Sequence, residues 1–322
     1  MRADEINDAG PILKGLIERS IINSVQQVVA KCISIGTTPD EPDFIASLTL
    51  DFTRDFGDIL KTVFPKTKFS VTGVYCHQKP LAQIPGISPS PEIGDILFVY
   101  IHTDSTGTKR LNSLLFQAKM SRSPVVAVSP SDRHQLTLYT EWPEFSYGRA
   151  DALNGHMRDI LPKTLHDGAQ YLLIDNHPVF GLSGRPGTFP MGCAIPSQVL
   201  SLDNDLATEL VDFLKFKSGR TIEADGKLTK DHWTRLIFDM LEITKKKASK
   251  RNNSGLKSFP RLKTDEYDGC CYFLPGKGVE SIFRDLHEGL NGGDPDSPEG
   301  KFSDDENEGI SVVLVESSDN LG

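Results

Sequence analysis

Two apolar runs joined by a short polar turn constrain the fold of this 322-residue chain more than any other feature. In "PEIGDILFVYIHTDSTGTKRLNSLLFQAKM", residues 91–120, the runs GDILFVYIH and LNSLLFQAKM flank TDSTGT, the pattern of a β-hairpin. Both strands are apolar on both faces at their centres, which predicts a place in the middle of a sheet covered by helices. Asp95 opens the first run, and Gln117 and Lys119 close the second. Alternate residues of a strand share a face, so Gln117 and Lys119 point the same way. The antiparallel neighbour brings Asp95 beside them.

The flanking segments extend this hairpin into a layered fold. Residues 11–33 carry apolar side chains at helical spacing. A second helix opens near Pro42, with Ile45, Leu48, Phe52, Phe56, Ile59 and Val63 on one face. KFSVTGVYCH (68–77) and AQYLLIDN (169–176) read as strands, and PVVAVS as a short edge strand or loop. SDRHQLTLYTEW reads as a helix capped by Ser131 or Asp132. DLATELVDFLKF and DHWTRLIFDMLEITKK read as helices, and ISVVLVE (310–316) as a last strand returning to the sheet, since an orphan strand exposes an unpaired edge. Helix, hairpin, strand, helix and strand in this order predict an α/β sandwich with a mixed sheet. The expected divisions are an N-terminal helix over 1–36, a core over 37–200 and a helical basic extension over 201–290. An acidic, Gly/Pro-rich linker over 291–309 and a strand or tail over 310–322 complete the chain.

Composition narrows the class. Hydrophobic residues make up 38% and charged residues 25%, the balance of a soluble globular protein. No apolar run is long enough to cross a bilayer, and MRADEINDAG lacks a signal-peptide pattern, so a cytoplasmic protein with no membrane partner is expected. Cys32, Cys76, Cys193, Cys270 and Cys271 form no zinc-type spacing and are expected as free thiols. A net charge of −9 argues against indiscriminate coating of nucleic acid but leaves room for a local basic groove. Such a groove has a candidate in TKKKASKRNNSGLKSFPRLK (244–263), where Lys245, Lys246, Lys247, Lys250 and Arg251 are candidate DNA-binding residues; the competing reading is a solvated helix end.

An acid, an amide oxygen and an ammonium at one sheet end suit a hydrated divalent cation held against a phosphate, because Mg2+ prefers oxygen ligands and keeps several waters. Lys119 can orient or activate a water there and offset charge building on the phosphate. Taken singly, Asp95 is a turn residue and Lys119 a snorkelling strand end; it is their occurrence together with Gln117 that points to function. SGRPGTFPMG (183–192) lacks the Gly-Lys-Ser/Thr of a phosphate loop, and no G-x-S-x-G occurs. His77 ends a strand near the site, while Trp142 and Trp233 read as packing residues.

The GD…QAK pattern resembles the PD-(D/E)XK nuclease superfamily, nearest to Mrr-like restriction endonucleases with a Gln-x-Lys motif, over roughly residues 37–176. The resemblance implies a restriction-endonuclease-like αβα sandwich with a mixed central sheet and a mostly helical C-terminal extension. It implies metal ligands at Asp95 and Gln117, a catalytic lysine at Lys119, and Mg2+, or Mn2+ in its place. Such folds add an acid from the first core helix. Glu41, in line with Ile45, Leu48 and Phe52, is the choice, ahead of Asp43 and Asp51; the alternative for PDEPD is helix capping. Gln135 and Tyr139, four apart on one helix, are similar to an accessory motif of RecB-like nucleases. The function implied is a metal-dependent endonuclease acting on DNA, the effector of a bacterial anti-phage defence system, with a regulatory protein partner or self-association. The alternative is a non-catalytic DNA-binding or assembly subunit.

Overall fold

The periodicities of the sequence resolve into helices that cover both faces of one mixed sheet. The structure is a computed structural model; it describes residues 3–34, 36–76, 80–175, 190–226, 228–250, 270–273 and 309–319. The α-helices among these are α1 (Ala3–Ser34), α2 (Glu41–Ser47), α3 (Thr53–Val63), α4 (Arg133–Glu141), α5 (Leu206–Leu214) and α6 (His232–Lys250). The first strands are β1 (Lys68–Cys76), β2 (Leu81–Gln83), β3 (Ile96–Thr103), β4 (Lys109–Met120), β5 (Val125–Ala127), β6 (Phe145–Gly148) and β7 (Met157–Arg158). They are followed by β8 (Ala169–Ile174), β9 (Met191–Ala194), β10 (Val199–Ser201), β11 (Asn204–Asp205), β12 (Arg220–Ile222), β13 (Cys270–Phe273) and β14 (Ser311–Ser318). None of the described helices is long and apolar enough to cross a membrane.

The main sheet runs β11-β9-β8-β4-β3-β14-β1-β13, with β12 also paired to β4. The hairpin β3–β4 sits in its middle, registered Ile96 to Phe116 and Thr103 to Lys109. β8 runs parallel to β4, and β14 runs parallel to β3 while pairing antiparallel with β1. The β-branched run near the C-terminus is thus a central strand, buried along Ser311–Ser317. Two small sheets lie outside it, β10-β5 and β2-β6-β7.

Strand alternation sorts the core into two layers. Even-numbered residues of β3 and β4 (Ile96, Phe98, Tyr100, Leu114, Phe116, Ala118) pack with Leu13, Ile17 and Val25 of α1, Phe44 and Ile45 of α2, Phe56 and Leu60 of α3, and Leu210 of α5. Odd-numbered residues (Leu97, Val99, Ile101, Leu111, Leu115) pack with Leu138 and Tyr139 of α4 and with Trp233, Ile237 and Met240 of α6. Both tryptophans are fully buried here, and Trp233 Nε1 donates to Ser113 Oγ at 2.9 Å.

Residues 201–250 differ from their expected place as a helical extension. α5 and α6 bury their apolar faces in opposite layers of the same sandwich, and β12 pairs Arg220–Ile222 with Leu111–Ser113 of β4. Helix periodicity reports that a face must be buried; it carries no information about which sheet buries it. The acidic segment expected as a linker lies outside the described residues except Gly309.

The second helix expected from the sequence is interrupted. Between α2 and α3, Leu48–Phe52 form a π-helical turn. Thr53 Oγ1 donates to Leu48 O at 3.3 Å across it. The bulge presses Thr49 onto β1, where a β-carbon on Gly73 would lie 1.8 Å from Thr49 O. A residue without a side chain at 73 is what lets the helix approach the strand so closely.

Candidate active site

Asp95 precedes β3 by one residue, and its backbone N–H continues the ladder by donating to Phe116 O at 2.8 Å. Its side chain is fully buried. Oδ2 accepts from the Gln117 side-chain amide and from the Ala118 backbone N–H at 2.6 Å. Gln117 is 3% exposed, yet among the described residues its Oε1 has no hydrogen-bond partner. Two residues on, Lys119 is half-buried and its Nζ stands 3.0 Å from Asp132 Oδ2. The structure therefore brings Asp95, Gln117 and Lys119 to one end of the central hairpin.

Asp132 was expected as a helix cap. It does occupy the N-cap position of α4, but its side chain caps nothing. Burial works to raise its carboxyl, but the Lys119 ammonium and the Ser129 hydroxyl outweigh this and hold it below the ordinary carboxylate range. The capping signature carries no sign of this pairing, because the lysine lies on another element.

The odd-numbered positions 117 and 119 belong to the face covered by α4. Gln135 and Tyr139, both buried, project from that helix. Tyr139 Oη donates to Ile93 O at 2.9 Å, and Gly94 makes room for it: a β-carbon there would lie 2.9 Å from the hydroxyl. Burial, with the charge of Asp95 added, pushes the Tyr139 phenol well up. Gln135 Oε1 is a second buried oxygen with no partner. A third is Tyr171 Oη, on β8, in register with Gln117 and with its ring 5.7 Å from that of Tyr139. Burial raises the Tyr171 phenol, and the charges of Asp132 and Asp95 raise it further. Asp132 and Tyr171 are the polar residues that sequence reasoning missed. For Tyr171 the only signal was a hydroxyl-bearing side chain within the apolar strand AQYLLIDN.

Glu41 and Asp43 stand on α2, and Asp51 on the π-helical turn that follows it. α2 packs in the even-numbered layer, although it does reach β4. Glu41, half-buried, stands in its first turn. Asp43 is buried and accepts from the Asp40 N–H at 2.8 Å, a reciprocal capping contact. The face it shares with Ser47 is covered by α1, with Ser47 Oγ 2.8 Å from Ser24 Oγ. Asp51 stands 3.9 Å from Arg54 and accepts from Ser47 Oγ at 3.3 Å.

Of the basic run, Lys245 is half-buried near the end of α6. Arg251 and the side chains of Lys246, Lys247 and Lys250 lie outside the described residues, as does His77. Cys32, Cys76 and Cys193 are buried.

The donor set can be judged from its chemistry. Among the described residues no group of three or more His, Cys, Asp or Glu side chains is placed to hold a metal ion. Carboxylate and amide oxygens, one of them buried without a donor, are nonetheless the hard ligands that suit a hydrated Mg2+. Comparison with family models, with curated proteins and with solved structures yields no match to this chain.

Proposed function

We propose that this chain is a metal-dependent nuclease that hydrolyses DNA phosphodiester bonds on a restriction-endonuclease-like fold. The observation that carries the reading is the convergence of Asp95, Gln117 and Lys119 at one end of an otherwise apolar hairpin, with Gln117 Oε1 buried and unpartnered. Asp95 and Gln117 are the residues that would hold Mg2+, or Mn2+ in its place. Bound there, the ion supplies Lewis-acid polarisation of the phosphate and acidifies water. Lys119, on the same face, donates to the attacking water or to a non-bridging phosphate oxygen and offsets the charge that develops in the transition state. Without the ion, Asp132 pairs with that ammonium, and Tyr139 ties α4 to the segment that leads into β3. On this reading the chain acts in the cytoplasm as a bacterial anti-phage effector, controlled by a protein partner or by self-association.

A second reading rests on the contacts within the cluster. Asp95 is hydrogen-bonded to Gln117 and Ala118, and Lys119 is paired with Asp132. A DNA-binding or assembly subunit that has lost the reaction fits this arrangement too. Incubation with plasmid and linear DNA under Mg2+, Mn2+ or EDTA separates the two. Cleavage with either metal and none with EDTA supports the nuclease. DNA binding without cleavage under any condition supports the second reading.

A further inference from the structure

A site with Gln117 in place of an acid needs a further carboxylate to balance a divalent charge. Glu41 is the choice that sequence reasoning favours, yet its helix packs in the layer opposite Gln117 and Lys119. The layer on which those two side chains project contains another acid. We propose that Asp132, at the start of α4, supplies the second carboxylate of the cation site in place of Glu41. The proposal rests on the metal-dependent reading above and specifies its ligands.

Three observations converge on this. Asp132 is 3.0 Å from Lys119 Nζ, so its carboxylate reaches the strand end that also carries Gln117. Gln117 Oε1, Gln135 Oε1 and Tyr171 Oη are all buried and all lack partners among the described residues. They lie on neighbouring elements: Gln117 and Tyr171 are register partners, and Gln135 is three residues beyond Asp132 on α4. A buried polar oxygen left without a partner is costly, so three on adjoining elements are unfavourable unless a ligand satisfies them. A hydrated cation does so directly. Its charge draws in amide oxygens as well as carboxylates, and its bound waters donate to whatever acceptors remain. Asp95 and Asp132 provide the two negative charges, and Lys119 then turns from Asp132 towards the substrate phosphate.

Calorimetric titration of the full chain with MnCl2, without DNA, tests this independently of catalysis. Asp132→Asn should weaken Mn2+ binding by roughly tenfold or more, at least the loss produced by removing an outer-sphere partner. Asp132→Glu should restore most of it, and Glu41→Gln should leave affinity within about twofold. Lys119→Met should bind Mn2+ at least as tightly as the wild type, because it releases the Asp132 carboxylate and removes a repelling charge. A loss in Lys119→Met equal to that in Asp132→Asn would mean that Asp132 only positions the lysine, and would overturn the assignment. So would a loss in Glu41→Gln with none in Asp132→Asn. Wild-type binding that is lost in Asp95→Asn but unchanged in Asp132→Asn overturns this inference alone. No Mn2+ binding by the wild type overturns both it and the metal-dependent reading. Far-UV circular dichroism on each variant confirms that affinities are compared between folded proteins.

Discussion

Asp95 and Gln117 face each other across the central antiparallel pair, the Gln117 amide donating to the same Asp95 oxygen that accepts from the Ala118 N–H. One buried carboxylate thus holds a side-chain donor and a backbone donor together. Asp95→Ala leaves both without that acceptor, at a cost of about 1–3 kcal/mol for each buried group left unsatisfied. Urea unfolding should show a lower midpoint with an unchanged slope. A midpoint equal to the wild type would show that the contact contributes nothing to the fold.

Lys119 should behave in the opposite way, mattering little to stability and much to chemistry. Its partner Asp132 is 31% exposed, and such pairs contribute about 0–1 kcal/mol. Lys119→Ala should therefore melt close to the wild type while DNA cleavage falls roughly 100-fold or more, the scale of losing one charge-stabilising donor. Gel assays on plasmid DNA at saturating Mg2+ measure this, and undiminished cleavage removes Lys119 from the reaction.

The π-helical turn predicts a steric result. A β-carbon at position 73 meets Thr49 O at 1.8 Å and Thr53 Oγ1 at 3.1 Å, and the first of these is backbone that cannot swing aside. Gly73→Ala should cost about 3 kcal/mol or more, the upper range for overpacking. A thermal melt within a degree of the wild type would mean that the helix and β1 are not in this contact.

The small β2-β6-β7 sheet is tied to α6 by charge. Arg158 Nε donates to Asp239 Oδ2 at 2.8 Å, and Tyr147 Oη donates to the same oxygen at 2.7 Å. The two charged side chains are only 11% and 16% exposed. Asp239→Ala strands a largely buried guanidinium, for which about 3–5 kcal/mol is the expected loss. Equilibrium denaturation measures it, and a change below about 1 kcal/mol would place the pair in the range of a surface bridge.

His166 should make the fold acid-sensitive. Its ring stacks on Trp142 at 5.0 Å and meets Trp233 edge-on at 4.7 Å, while Nδ1 accepts from the Gly168 N–H at 3.1 Å. Burial, with the Arg220 charge added, lowers it from 6.5 to about 4. The unfolded chain therefore binds this proton more readily than the folded one. The histidine's contribution is complete above pH 6.5 and is lost as pH falls from there through about 4. His102, lowered to about 4 chiefly by burial, acts in the same direction. Melting temperature against pH should fall less steeply below pH 6.5 in His166→Phe; an identical slope would exclude His166 as a source.

What the sequence determined by itself was local periodicity and its consequences. Strands apolar on both faces at 96–103 and 109–120 had to lie centrally, because either face left in water would forfeit its hydrophobic stabilisation. Period-two alternation likewise settled that Gln117 and Lys119 share a face, and hairpin antiparallelism that Asp95 stands beside them. Tertiary structure decided the rest, because it turned on contacts between elements distant along the chain. Asp132 reads as a cap until Lys119 is placed opposite it. Tyr171 reads as an ordinary strand residue until β8 pairs in parallel with β4 and sets it beside Gln117. The layer occupied by α2, and with it the standing of Glu41 against Asp132, follows from which side of the sheet each helix covers. An amphipathic helix records only that one of its faces is to be buried, and packing within the sandwich selects the side.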